Sequence, residues 1–181
     1  MKTLILGLGN PVRADDSVGL RVAQALARRL SSPDITVMEA SVSGLDILDL
    51  LVGCERAIII DAIQTRGGQP GQIYRLQPGT FTATRHSANP HSVDFATALE
   101  LGERLGLTLP KEIVIFGIEV AEVDSFSEEC TPQVAVAIPV CVETVLEELV
   151  TRGWREFTAL LTINQKLSGE LKHGDETNSD C

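Results

Sequence analysis

Hydrophobic positions fall along this chain in two rhythms. Leu4–Leu6, Arg56-Ala57-Ile58-Ile59-Ile60-Asp61 and Glu112–Phe116 are apolar runs without alternation, the pattern of strands covered on both faces in a parallel sheet. Between them the period changes. Val18, Leu20, Val22, Ala23, Ala25, Leu26 and Leu30 recur at helical spacing and predict an amphipathic helix over about Asp16–Leu30. Ser31-Ser32-Pro33-Asp34 ends it, and Ile35–Met38 is a second strand. Leu45, Ile47, Leu48, Leu50, Leu51 and Val52 predict a short helix stopped by Gly53.

After Asp61, Gly67-Gly68 and Pro70-Gly71 make a turn, and Gln72–Leu76 reads as a strand at an edge, a candidate for antiparallel pairing. Gln77–Pro90 is polar and is expected to be an irregular loop. A second helix follows His91, with Val93, Phe95, Ala96, Ala98, Leu99, Leu101 and Leu105 on its apolar face and Gly106 closing it. The last apolar strand ends in Gly117-Ile118-Glu119, and an acidic loop spans Ala121–Glu129. Thr131-Pro132 has the form of an N-cap followed by proline at the first helical position, opening a helix to about Leu149.

This alternation specifies an α/β fold, a three-layer αβα sandwich around a mostly parallel twisted sheet of about five strands. Residues 1–150 are expected to form one domain. Residues 151–181 are a C-terminal extension, with a helix candidate at Glu156–Leu167 and a polar, disordered end from Ser168.

Composition narrows the function. The 181 residues carry a net charge of -10, which repels nucleic-acid phosphate and anionic lipid in the absence of a basic patch. Cys54, Cys130, Cys141 and Cys181 show neither C-x-x-C spacing nor a disulfide framework. The apolar start is too short for a signal peptide, and no run approaches a membrane span. The expectation is a reduced, cytoplasmic, monomeric protein that binds neither nucleic acid nor membrane.

Candidate chemistry gathers beyond the carboxyl ends of the strands, where ligands bind in open α/β sheets. Gly7, Gly9, Asn10 and Pro11 break the first strand and lead to Asp15-Asp16; Asp61 ends the third; Glu119 ends the last; His91 opens a helix. Each has a structural alternative. Asp15 or Asp16 suits a helix cap, Asp61 suits an aspartate turn, His91 suits a helix start, and Glu119 either borders the cleft or caps a loop. Together, carboxylates and imidazole suit a borderline divalent ion such as zinc or nickel. A dinucleotide site wants a third glycine where Val12 stands, and the acids would repel pyrophosphate. G-L-G-N-P with Thr84-Arg85-His86 is shared with peptidyl-tRNA hydrolases, but the two elements are more than seventy residues apart here.

Four stretches in register carry a stronger likeness: G-L-G-N-P-V-R-A-D-D-S-V-G at Gly7–Gly19, I-I-I-D-A-I at Ile58–Ile63, N-P-H-S-V-D-F around His91, and I-F-G-I-E at Ile115–Glu119. In these the chain resembles the hydrogenase maturation endopeptidases, which trim the C-terminus of the large subunit of nickel–iron hydrogenases. The resemblance covers roughly the first 150 residues. It departs at Ser17, where glycine is common, and at Ala40–Gly44, which lacks the usual Gly-Thr.

The resemblance implies an endopeptidase that acts after nickel insertion, with Asp16, Asp61 and His91 as both catalytic and metal-contacting residues and Asp15 left as the helix cap. The nickel belongs to the precursor, and zinc or cadmium would stand in for it in crystals. No serine or cysteine sits in an evident triad, which disfavours a covalent mechanism. The alternatives are a non-catalytic metal-insertion checkpoint or chaperone with the same ligands, and an esterase like the peptidyl-tRNA hydrolases.

Overall fold

The computed structural model describes residues 2–42, 44–81, 95–121, 123 and 125–151. They form five strands: β1 (Thr3–Leu8), β2 (Ile35–Ala40), β3 (Arg56–Ile63), β4 (Ile73–Leu76) and β5 (Glu112–Glu119). The helices are α1 (Val18–Arg29), α2 (Ile47–Leu51), α3 (Pro78–Phe81), α4 (Phe95–Arg104) and α5 (Pro132–Thr151), with 3-10 turns at Asp15–Ser17 and Gly44–Asp46.

The sheet order is β2-β1-β3-β5-β4. The first four strands in that order run parallel, and β4 pairs antiparallel with β5 at the edge, Tyr74 opposite Gly117. The expected mostly parallel αβα architecture is therefore the one found. Alternation along the strands sorts the core. Leu4, Leu6 and Leu8 of β1, with Ala57, Ile59 and Ile63 of β3, pack with Ile47 and Leu51 of α2 and Phe95 and Leu99 of α4. On the opposite face Gly7 lies against α1, where a side chain would meet Gly19 O at 2.3 Å and Ala23 Cβ at 2.6 Å.

Several boundaries differ from expectation. β1 runs through Gly7 to Leu8 and β2 runs to Ala40, because the two strands go on pairing, Gly7 opposite Glu39 and Leu8 opposite Ala40. β3 continues past Asp61 to Ile63, because β5 also continues and supplies partners, Asp61 opposite Gly117 and Ile63 opposite Glu119. The segment from Gln77, expected to be irregular, begins with the single turn α3, too short to leave an apolar period; residues 82–94 lie outside the described residues.

The chain groups into two compact units, Met1–Glu143 and Thr144–Cys181, with the boundary inside α5. Of the second unit, residues 144–151 are described, the last turns of that helix. Among the described residues no helix is long and apolar enough to cross a membrane.

Candidate active site

The turn after β1 is built for close approach. Gly9 has φ 147°, a conformation that disfavours a side chain, and a Cβ there would lie 1.9 Å from Asp16 O. Asn10 then closes the turn: its Oδ1 accepts the Val12 N–H at 3.1 Å, and its own N–H donates to Asp16 O at 3.3 Å. Gly19 completes the packing, since a Cβ there would meet Leu8 O at 2.3 Å and Ile60 O at 2.4 Å. The start of α1 thus rests directly on the ends of β1 and β3, and the Asp15–Ser17 turn is held over the sheet edge.

Strands β1 and β3 are neighbours from which the chain departs in different directions, β1 crossing to β2 on its far side. Such a topological switch point opens a crevice at the carboxyl ends of the strands. Asp16 stands on one side of it and Asp61 on the other.

The electrostatics tie these two residues together. The Asp61 pKa is raised from its ordinary 3.8 to about 7, first by desolvation and then by the Asp16 charge, with the Ala62 N–H opposing both. That N–H donates to Asp61 Oδ1 at 2.9 Å; it belongs to the next residue of β3, not to a following turn. Asp16 is also raised by desolvation, against the lowering effects of Arg13 and a backbone hydrogen bond from Asn10. Two carboxylates partly withdrawn from water and repelling one another favour a shared proton or a cation.

His91 lies outside the described residues, as does His86. Among the described residues no three His, Cys, Asp or Glu side chains gather as a metal site.

Asp15 is not the cap of the first helix. Neither the Asp15–Ser17 turn nor α1 has a side-chain cap, and the Asp15 residue is fully buried. Its carboxylate accepts the Thr131 N–H at 2.6 Å, the Thr131 hydroxyl at 3.0 Å and the Ala121 N–H at 3.2 Å. The physical reason is reach: the turn points this side chain inward, where donors distant in sequence are presented by the loop before α5. Asp15 serves the start of α5 as the acidic member of a capping box serves its own helix.

Glu119 is likewise a fastener. It is buried and accepts the Thr65 N–H at 2.7 Å and the Thr65 hydroxyl at 2.8 Å. Gly68 packs on its carboxylate, where a Cβ would fall 2.2 Å from Cδ. Sequence reasoning missed Thr65 and gave Thr131 only a local capping role; a hydroxyl residue near a turn was the available signal.

A family model described as hydrogenase maturation protease matches residues 20–148, well over half of the chain. The chain belongs to the hydrogenase maturation protease family. Its relatives include the hydrogenase 2 maturation protease of Escherichia coli, 28% identical over 158 residues, covering 84% of this chain and 93% of that one. The hydrogenase expression/formation protein HupD of Bradyrhizobium diazoefficiens is 25% identical over 189 residues, covering 96% and 93%. Among solved structures, the hydrogenase maturating endopeptidase HybD of E. coli superposes with a TM-score of 0.73 at 26% identity, covering 84% of this chain and 94% of that one. Membership in the hydrogenase maturation protease family makes the chain a hydrolase, a processing endopeptidase for hydrogenase, as the four motifs implied.

Proposed function

We propose that this protease removes the C-terminal extension of a nickel–iron hydrogenase large-subunit precursor once nickel has been inserted, and that it recognises the nickel through Asp16, Asp61 and His91. The observation that carries the reading is the pair Asp16–Asp61 across the switch-point crevice, with Asp61 raised to about 7 by burial and by Asp16. Such a pair is incomplete without positive charge. Below about pH 7 a proton supplies it; in the complex the precursor's nickel takes its place, because a coordinating carboxylate must be ionised. Oxygen donors with one imidazole, and no thiolate, suit contact with an ion held mainly by another protein. The metal then reports that the precursor is loaded, and the cleavage follows.

The test is incubation with precursor in nickel-loaded and nickel-free forms, followed by mass spectrometry. The expected result is loss of a C-terminal fragment from the loaded form alone. Intact precursor after long incubation sinks the protease reading in favour of a non-catalytic checkpoint. Cleavage of both forms alike sinks the nickel recognition. His91→Ala and Asp61→Ala should each abolish processing.

A further inference from the structure

Beside the carboxylate pair lies an apolar lip that the chemistry above does not use. Phe126 is 82% exposed and Val12 50% exposed. They sit on two backbone segments joined by an antiparallel bridge between Arg13 and Phe126, with the Ser127 N–H donating to Val12 O at 3.2 Å. The lip adjoins the site through Arg13, which bridges Phe126 on one side and lowers the Asp16 pKa on the other.

The backbone beneath these side chains is pinned. Val12 is held by Asn10 Oδ1. The loop that carries Phe126 is anchored by Ala121 and Thr131 to Asp15, and by Cys130 to Ala14 O and Ser17 Oγ. A phenyl ring exposed to water on backbone tied by these bonds is the form of a preorganised binding anchor: it loses little conformational freedom when covered and gains the burial of a large apolar surface. The family fixes what kind of molecule passes this rim, since a processing protease takes a polypeptide. Arg13 keeps a cation next to the acids, and Glu128 and Glu129 make the outer flank acidic.

The geometry points to Phe126, with Val12, as the docking anchor for the substrate polypeptide beside its scissile bond, seating an apolar side chain of the precursor. The inference rests on the function proposed above. It assigns Phe126 a part in substrate affinity and none in bond cleavage.

The experiment measures both binding and cleavage of nickel-loaded precursor by the full chain. Phe126→Ser should weaken binding and raise KM by about tenfold, the range of a single aromatic anchor, while kcat falls less than twofold. Phe126→Leu should restore most of the affinity. Leu105→Ser is the control, because Leu105 is 67% exposed but follows the far end of α4; it should alter neither constant. Equal KM for Phe126→Ser and wild type overturns the anchor and leaves the protease reading standing. Binding that depends on Phe126 without any cleavage supports the anchor and overturns the protease reading. Absence of both binding and cleavage in the wild type overturns both.

Discussion

The carboxylate of Asp15 and the backbone N–H of Thr131, 2.6 Å apart, join the turn that carries Asp16 to the start of α5. One adjacent pair of acids thus divides its labour: Asp15 turns inward to hold the loop and Asp16 stands at the crevice.

Asp15→Ala should leave the N–H groups of Ala121 and Thr131 and the Thr131 hydroxyl without this acceptor. An unsatisfied buried donor costs about 1–3 kcal/mol; these donors are part-buried and can be partly met by water, so a total loss of roughly 1–3 kcal/mol is expected in urea unfolding. A change below about 0.5 kcal/mol, typical of a surface position, would rule out the fastening role.

Asp61→Asn should stabilise the protein while ending its activity. The folded pKa of about 7 lies above the ordinary 3.8, so the folded state holds a proton that the unfolded state releases. The stabilisation from that proton is complete below about pH 3.8 and is lost as pH rises through about 7. At pH 8 the wild type therefore carries an unfavourable buried charge that asparagine lacks. The melting temperature of the variant should be several degrees higher at pH 8, at roughly 2–4 °C per kcal/mol for a chain of this size, and the gap should close toward pH 4. A gap independent of pH would contradict the raised pKa.

Asp16→Asn should lower the Asp61 pKa, since it removes the like charge that raises it. Carbon-detected NMR titration of the Asp61 carboxyl reads this directly. The shift is expected downward from about 7 but short of 3.8, because desolvation is the larger cause. An unmoved titration would separate the two carboxylates.

Gly19→Ala should be severely destabilising, because the new methyl would lie 2.3 Å from Leu8 O and 2.4 Å from Ile60 O, both backbone atoms. Overpacking of this kind costs typically 1–3 kcal/mol, occasionally more. Gly79→Ala, with nothing within 4 Å of its Cβ position, is the matched control and should change stability by less than about 0.5 kcal/mol. Equal melts for the two variants would refute the close-packed junction.

The sheet was legible because β1, β3 and β5 are buried on both faces and say so in unbroken apolar runs. Even the antiparallel edge strand β4 could be read from the turn residues before it. Asp61 was legible as a strand-end acid, although the strand continues two residues beyond it once β5 offers partners. What could not be read were bonds whose two ends lie far apart in the chain. Asp15 looked like a cap since capping is a local preference, whereas its donors are 106 and 116 residues away. The partner of Glu119 is 54 residues away. Hydrophobic period carries no information about which buried donor a carboxylate will meet.

The contact of Gly9 with Asp16 O has a further consequence for how this turn can vary. Its span is set by atoms touching atoms, not by a preference that neighbours can offset. Adding or deleting one residue between Gly9 and Asp16 would leave every strand paired yet shift the next carboxylate by about 120° around the 3-10 turn before α1, the angular step at three residues per turn. The turn is therefore tolerant of changes in residue identity at exposed Pro11 and intolerant of changes in length.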